Sequence, residues 1–184
     1  MSSASKQRIA LDAATEVFCR YGFHRTTMGD IAKEAGMSRP ALYLLFPDKD
    51  AVFAAVVRHM DETKRGEIRD EIAAASGLHT KLLRACISWG CHGVDIAEAH
   101  PDAADLFDLS FPVVQEVYQN FQTFVAELIA EQVRRSGIKA RPEELARTLV
   151  YGLRGLRATA ADGTEMRRLI TVLIDVFVRA LGAR

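Results

Sequence analysis

Hydrophobic and polar positions recur with a helical period along almost the whole chain, and no segment shows the strict alternation typical of a strand. One apolar stripe predicts a first helix from about Ser5 to Tyr21, ended by Gly22, and Asp48 is placed to cap a long helix after it. Further helices are expected at about residues 78–100, 102–109, 112–135, 143–160 and 165–181. The segment ITVLIDVFV in the last one has strand propensity, but its helical context predicts a helix. The fold is therefore expected to be all-α.

The stretch TTMGDIAKEAGMSRPALYLLF, residues 26–46, contains two short helical patterns separated by a glycine. Thr27 can cap the first helix, and Gly36 can end it in a left-handed conformation. Ser38 can cap the second helix, with Pro40 in its first turn. Such a pair is either an ordinary helical hairpin or a helix-turn-helix, whose second helix enters the major groove of DNA. Taken alone, so short a pattern favours the ordinary hairpin.

The second of these short helices has two distinct sides. Leu42 and Phe46 are four residues apart and are expected to anchor the helix on the core. The side chains turned toward solvent are then Arg39, Ala41, Tyr43 and Leu44.

A longer run, RIALDAATEVFCRYGFHRTTMGDIAKEAGMSRPALYLLFPDKDAVFAAVV, resembles the DNA-binding domain of the TetR family of bacterial repressors. The shared features are the AA-xxx-F-xx-YGF helix end, the TT-xxx-IA-xxAGMS turn, the LY-xxF helix and the PDK that opens the next helix. The resemblance implies an N-terminal three-helix helix-turn-helix domain, residues 1–47, followed by a helical ligand-binding and dimerisation domain, residues 48–184. It also implies a homodimeric transcriptional repressor that a small-molecule ligand releases from a palindromic DNA operator.

The same resemblance assigns roles to individual residues. In the family, phosphates are contacted by the residues that match Thr27, Tyr43 and Lys49, and base edges by those that match Arg39, Pro40 and Ala41. The chemistry agrees, because an arginine can reach O6 and N7 of guanine. Leu44 and Leu45 depart from the pattern, since neither can bond phosphate, and the sequence leaves open whether they face DNA or core. The DNA-binding residues are predicted to be Thr27, Ser38, Arg39, Pro40, Ala41, Tyr43, Leu44 and Lys49.

The distribution of charges along the chain is more informative about its partners than the net charge is. The 184-residue chain has a formal net charge of zero, yet residues 1–46 carry six Lys or Arg against four acids, a net charge of +2. Residues 85–133 carry eight acids and no Lys or Arg.

No apolar run approaches the roughly 20 residues that span a bilayer, and the N-terminal stretch lacks the apolar core of a signal peptide. We therefore expect a cytoplasmic protein without a membrane segment.

The middle of the chain is expected to hold the effector, because it concentrates aromatic residues at helical spacings. Most of these rings could equally be ordinary core. The predicted ligand-binding residues are Trp89, His92, Phe107, Phe111, Tyr118, Phe121, Tyr151 and Arg154. Acids and ring faces both favour a hydrophobic cation or a neutral molecule over a carboxylate or an acyl-coenzyme thioester. The acids could instead be solvated faces, and Arg154 with Arg157 could admit an anion.

The last two helices are expected to form the dimer interface. The sequence LVYGLRGLRATA has small residues every three positions, which lets another helix approach closely, and the final helix is apolar on more than one face. The predicted interface residues are Gly152, Gly155, Ile170, Leu173 and Phe177. The alternative is a final helix buried within the monomer.

Catalytic and metal-binding patterns are not found in the sequence. Cys91 and His92 are adjacent and point apart on a helix, so we expect no metal site, and no cofactor-binding motif is present. Without a phosphate loop, G-x-S-x-G or HExxH, an all-helical enzyme is the weaker alternative. A DNA-binding regulator controlled by a protein partner is another, and it would show an exposed apolar patch instead of an enclosed aromatic cavity.

Overall fold

The computed structural model of the protein describes residues 3–182, except for the side chains of residues 3, 101, 104 and 105. Every regular element in this range is helical, as predicted. The helices are α1 (Ser3–Arg25), α2 (Met28–Glu34), α3 (Arg39–Tyr43), α4 (Lys49–Ala73), α5 (Leu78–Ala99), a short 3-10 helix (Pro101–Phe107), α6 (Pro112–Ser136), α7 (Pro142–Thr159) and α8 (Gly163–Ala180).

Helix α1 is broken where the sequence predicts its end. Gly22 adopts φ 71° and ψ 172°, a conformation outside the helical region. A side chain at this φ would be strained, so glycine is the residue that suits the break. The buried Thr26 hydroxyl donates a hydrogen bond to the Gly22 carbonyl oxygen over 2.7 Å. The chain thereby turns from α1 toward the N-terminus of α2.

The chain divides by packing into two compact units. The first comprises residues 1–62 and 96–115, and the second comprises residues 63–95 and 116–184. Helices α4, α5 and α6 each contribute residues to both units. The predicted boundary after residue 47 follows the sequence motif, whereas packing groups residues 48–62 and 96–115 with the N-terminal helices. As a functional boundary, residue 47 stays a prediction.

An aromatic cluster forms part of the core of the first unit. Phe18 and Phe53 meet edge to face with ring centroids 5.4 Å apart. Phe23 lies 4.8 Å from Phe53 and 4.9 Å from Phe111, and Phe111 lies 4.8 Å from Phe53. Phe111, which follows the 3-10 helix, therefore packs with residues from α1 and α4. Edge-to-face ring contacts of this kind add to the stabilisation from burial.

The second unit is built around a buried stripe of α8. The stripe consists of Met166, Ile170, Ile174 and Val178. Gly90 of α5 is buried against it, because a Cβ at this position would lie only 2.9 Å from Ile170 Cδ1. The absence of a side chain at Gly90 thus lets α5 approach α8 closely.

Within residues 3–182, no helix is both long enough and apolar enough to cross a membrane. The described side chains also contain no group of three or more His, Cys, Asp or Glu residues arranged to hold a metal ion.

Candidate nucleic-acid interface

Helix α2 begins with a complete capping box. The Thr27 Oγ1 accepts a hydrogen bond from the Asp30 backbone N–H (3.3 Å) and donates one to Asp30 Oδ2 (2.6 Å). The Thr27 backbone N–H donates to the same oxygen over 2.9 Å. These bonds, and then the charge of Arg39, hold the pKa of the Asp30 carboxyl below its usual value. The single hydroxyl proton of Thr27 is therefore engaged, and its predicted contact with phosphate would compete with Asp30.

Helix α3 presents one face to the core and another to solvent. Ser38 caps it by accepting a hydrogen bond from the Ala41 N–H, and Pro40 occupies its first turn, as predicted. Leu42 is fully buried and Phe46 nearly so, which confirms them as the anchors of this helix. The side chains left exposed on or just after it are Arg39, Pro40, Tyr43 and Leu44.

Leu44 and Leu45, which the sequence could not place, have different surroundings. Leu44 is 88% exposed at the C-terminal cap of α3, whereas Leu45 is half-buried. An exposed leucine beside a recognition helix can contact the methyl group of thymine but cannot bond phosphate. Leu44 is therefore available to a partner molecule, and Leu45 is mainly a packing residue.

The guanidinium group of Arg39 lies against Gly29 of α2. An added Cβ at Gly29 would lie 2.2 Å from Arg39 Nη2 and 2.7 Å from Cζ and Nε. Gly29 did not emerge from the sequence patterns. The one available signal was a glycine inside a short helix, where alanine is more favourable by about 1 kcal/mol.

Lys49, predicted to contact phosphate, has partners within the chain. Its Nζ donates a hydrogen bond to the Phe23 carbonyl oxygen over 2.8 Å and lies 4.1 Å from the centroid of the Phe23 ring. The ammonium group thereby joins the start of α4 to the end of α1. This bond uses one of its three N–H groups, so a contact with DNA stays a prediction.

The predicted ligand-binding residues fall in both compact units. Phe107 and Phe111 belong to the first, and Phe111 is part of its aromatic core. The remaining six residues belong to the second unit: Trp89, His92, Tyr118, Phe121, Tyr151 and Arg154. Sequence spacing grouped all eight, but it could not show that Phe111 packs with α1 and α4.

Four of these residues form a packed aromatic stack in the second unit. The Trp89 ring is parallel to that of Phe121 at 4.4 Å and meets Tyr118 edge to face at 5.1 Å. Tyr118 in turn stacks on Tyr151 with centroids 6.0 Å apart. Tyr118 is 3% exposed, and its hydroxyl oxygen has no hydrogen-bond partner. A buried hydroxyl without a partner is an unfavourable feature that invites explanation.

Two cavities of the second unit are lined by residues outside this stack. One has a volume of about 230 Å³, and the other about 200 Å³. Their lining residues are Gly77, Leu78, Lys81, Leu128, Glu131, Gln132 and Arg135 for the first, and Gln119, Gln122, Thr123, Ala126 and Glu143 for the second. Neither cavity is lined by a residue that the sequence predicts to bind ligand.

His92 lies half-buried near charged groups of both signs. Burial lowers the pKa of its imidazole, and the charge of Lys64 lowers it further, while Glu67 and Asp95 act in the opposite direction. The neutral form of His92 is therefore favoured in the folded protein.

Helix α8 has a second apolar face opposite its buried stripe. Val172 and Val176 are 54% and 63% exposed, and Leu173 and Phe177 are half-buried. Ile170, predicted for the interface, is instead fully buried in the core of its own chain.

The two glycines of α7 that were predicted for the interface have different surroundings. A Cβ at Gly152 would lie 3.6 Å from Leu173 Cδ2, an ordinary contact between α7 and α8 of one chain. A Cβ at Gly155 would have no such atom within 4 Å. Gly155 thus borders open space, which is compatible with a neighbouring molecule, whereas Gly152 adjoins a helix of its own chain.

Comparisons with known proteins agree with the helix-turn-helix geometry. Residues 10–56 match the sequence model of bacterial regulatory proteins of the tetR family. The HTH-type transcriptional regulator RutR of Escherichia coli is 39% identical over 57 residues, which cover 31% of this chain and 27% of RutR. The HTH-type transcriptional repressor Rv1474c of Mycobacterium tuberculosis is 35% identical over 82 residues, covering 39% of this chain and 43% of that protein. The matched stretch thus spans less than half of each relative.

The fold match extends much further along the chain. The crystal structure of the transcriptional regulator FadR from Bacillus subtilis in complex with stearoyl-CoA aligns with a TM-score of 0.72. This alignment covers 94% of this chain and 98% of that one at 17% sequence identity, so it establishes the fold. The helix-turn-helix geometry and the sequence matches together show that residues 10–56 are similar to the DNA-binding region of bacterial regulatory proteins of the tetR family, and the structural match shows that the described chain shares the fold of one such regulator.

Proposed function

We propose that the protein is a cytoplasmic transcriptional repressor that binds a palindromic DNA operator as a homodimer and is released by a small molecule. The observation that carries this proposal is the exposed face of α3, where Arg39, Tyr43 and Leu44 project from a capped helix-turn-helix. The matched relatives are transcriptional regulators, which supports this function over an enzymatic one.

DNA recognition is assigned to the exposed face of α3. In the major groove Arg39 can bond O6 and N7 of guanine, and Leu44 can contact a thymine methyl. Tyr43, which is 51% exposed, carries a hydroxyl that can donate to a phosphate oxygen. A net charge of only +2 in residues 1–46 supplies few phosphate contacts for each subunit. Joining two half-sites is therefore needed for tight binding.

The partner subunit is proposed to cover the exposed face of α8. This face presents Val172 and Val176, which are 54% and 63% exposed. An unpartnered apolar face of this kind is costly in water. A second copy packed on it would give a dimer with two recognition helices, which an operator with two half-sites about 34 Å apart, one turn of the DNA helix, requires.

A regulator controlled by another protein is the second candidate, because the same exposed face could accept a different partner. Sedimentation of the purified chain separates the two. A stable dimer supports the homodimer, and Gly155→Leu should dissociate it while leaving the monomer folded, since space is open at that position. A monomer that does not self-associate would favour the partner-controlled regulator.

The route from effector to DNA is proposed to pass through residues 96–115. These residues connect α5 to α6, and they pack within the first unit through Phe111 on Phe23 and Phe53. Arg25, at the end of α1, also forms an ion pair with Asp102 of the 3-10 helix. An effector that shifts α5 or α6 would therefore act on the helices next to α2. Differential binding to two such arrangements is what the release mechanism requires.

The effector is proposed to be a hydrophobic cation or a neutral aromatic-sized molecule that binds at the aromatic stack of the second unit. Support comes from the four acids of residues 85–133 that belong to this unit, Asp95, Glu116, Glu127 and Glu131, and from the Tyr118 hydroxyl, which a bound molecule could supply with a partner. The FadR structure from Bacillus subtilis contains stearoyl-CoA, an anion. An effector of that anionic kind is the opposite of the class proposed for this chain, so an assay for release of DNA can distinguish the two classes.

Selection of duplexes from a random-sequence pool tests DNA binding directly. The wild-type chain should enrich a palindromic sequence, and Arg39→Ala should lose about 1–3 kcal/mol on it, mainly at one base pair in each half-site. Arg134→Ala, which removes an exposed arginine outside the helix-turn-helix, is the matched control and should bind as the wild type does. Failure to enrich any sequence would overturn the proposed function.

The effector class can be tested on the selected duplex. Matched cationic, neutral and anionic compounds, with stearoyl-CoA among the anions, are compared for release of the DNA. Release by the cationic or neutral set supports the proposed class. Release by the anionic set alone would contradict it while leaving DNA binding intact.

A further inference from the structure

Gly29 has no backbone reason to be glycine. It lies within α2 and is not among the glycines with a positive φ. Glycine is less favourable than alanine in a helix because it has more conformational freedom to lose. The presence of glycine at position 29 is instead explained by the side chain that packs against it.

The guanidinium group of Arg39 occupies the place where a side chain at position 29 would lie. An added Cβ would come within 2.2–2.7 Å of three guanidinium atoms, which real Cβ atoms do not do. Gly66 of α4 is the contrasting case, since an added Cβ there would have no neighbour within 4 Å. The space over Gly29 is therefore used by a specific side chain, and that side chain is the arginine assigned to base recognition.

Charge helps to hold Arg39 at this place. Asp30 is the next residue after Gly29, and Thr27 fixes its carboxylate through the capping box. The charge of Arg39 contributes to the lowered pKa of Asp30, so the two groups attract each other. The guanidinium thus lies on the open surface of Gly29, and the carboxylate of the next residue attracts it from nearby.

We propose that Gly29 is a positioning residue for Arg39, which sets the direction from which the guanidinium approaches DNA and thereby the base that it prefers. The proposal rests on the proposed DNA-binding function and adds a residue whose influence requires no side chain of its own. Any larger residue at position 29 must displace the guanidinium, because the arginine tip is more flexible than the helix backbone. We expect this displacement to leave the fold intact and to reduce the preference of Arg39 for one base over the others.

The test compares Gly29→Ala with the matched control Gly66→Ala, which adds the same methyl group to a helix at an open position. Both variants are measured on the duplex selected by the wild-type chain and on duplexes altered at the base pair where Arg39→Ala loses discrimination. We expect Gly29→Ala to melt at or above the wild-type temperature and to lose roughly tenfold in discrimination at that base pair. Gly66→Ala should keep wild-type discrimination.

A double variant separates positioning from a general effect on α2. In the Arg39→Ala background, Gly29→Ala should cause no further loss, because the group that it displaces is gone. Unchanged discrimination in the single variant would overturn the inference, as would an equal loss on all duplexes that persists without Arg39. If the wild-type chain enriches no duplex, the proposed function fails and the inference fails with it.

Discussion

The buried hydroxyl of Tyr118 gives the sharpest test of the second unit. Its oxygen has no hydrogen-bond partner, and the residue is 3% exposed. Leaving such a group unsatisfied destabilises the folded state by about 1–3 kcal/mol, whereas removing it leaves a ring of the same shape. Tyr118→Phe should therefore stabilise the effector-free protein by about 1–2 kcal/mol. For a chain of this size, each 1 kcal/mol raises the melting temperature by roughly 2–4 °C.

Urea unfolding at a fixed protein concentration measures this change, because dimerisation makes the apparent stability depend on concentration. Tyr151→Phe is the matched control. Its ring stacks on Tyr118 but is 40% exposed, so loss of its hydroxyl should change the free energy of unfolding by less than about 0.5 kcal/mol. A loss of stability of 1 kcal/mol or more in Tyr118→Phe, with Tyr151→Phe unchanged, would show that the hydroxyl is satisfied in solution, for example by a buried water. That result would refute the reasoning.

Three further predictions concern Lys49, Val176 and His92. Lys49→Met removes the bond to the Phe23 carbonyl and the ring contact while keeping the aliphatic stem, so urea unfolding should show a loss of about 1–2 kcal/mol; full wild-type stability would contradict the contact. Val176→Glu places a charge on the exposed face of α8 and should give a folded monomer in sedimentation, and a persistent dimer would move the interface elsewhere. His92 has a lowered pKa in the folded state, so the unfolded chain binds the extra proton first, and stability should fall as the pH drops below about 6.5. His92→Gln should reduce this slope between pH 7 and pH 5, and an unchanged slope would assign it to other groups.

Local signals predicted the helices and their ends well. Gly22 ends the regular part of α1, Thr27 and Ser38 cap α2 and α3, and Leu42 is buried on the inner side of α3. Each of these features depends on residues within a few positions of one another. Backbone conformation, capping and helical period are therefore sufficient to infer them from the sequence.

Contacts between distant segments could not be inferred in the same way. The sequence places Phe111 among candidate ligand residues, and only the fold shows that it packs on Phe23 and Phe53. Arg39 was identified as exposed, but its position over Gly29 depends on the crossing of α2 and α3. Helix α8 has two apolar faces, and the period alone could not tell that Ile170 lies on the inner one.

The sharing of α4, α5 and α6 between the two units limits how this chain can be recombined with others. A hybrid regulator made by joining residues 1–47 to a foreign effector-binding domain would separate Phe23 from its native neighbours Phe53 and Phe111. Such a hybrid keeps the exposed face of α3 but leaves the Phe23 ring without these neighbours, unless the donor supplies rings at the matching places. Exchange of DNA specificity is therefore better achieved by transplanting the solvent-facing residues of α2 and α3 onto an intact recipient. This exchange would alter only exposed side chains of α2 and α3, and the contacts of Phe23 with Phe53 and Phe111 would stay as they are.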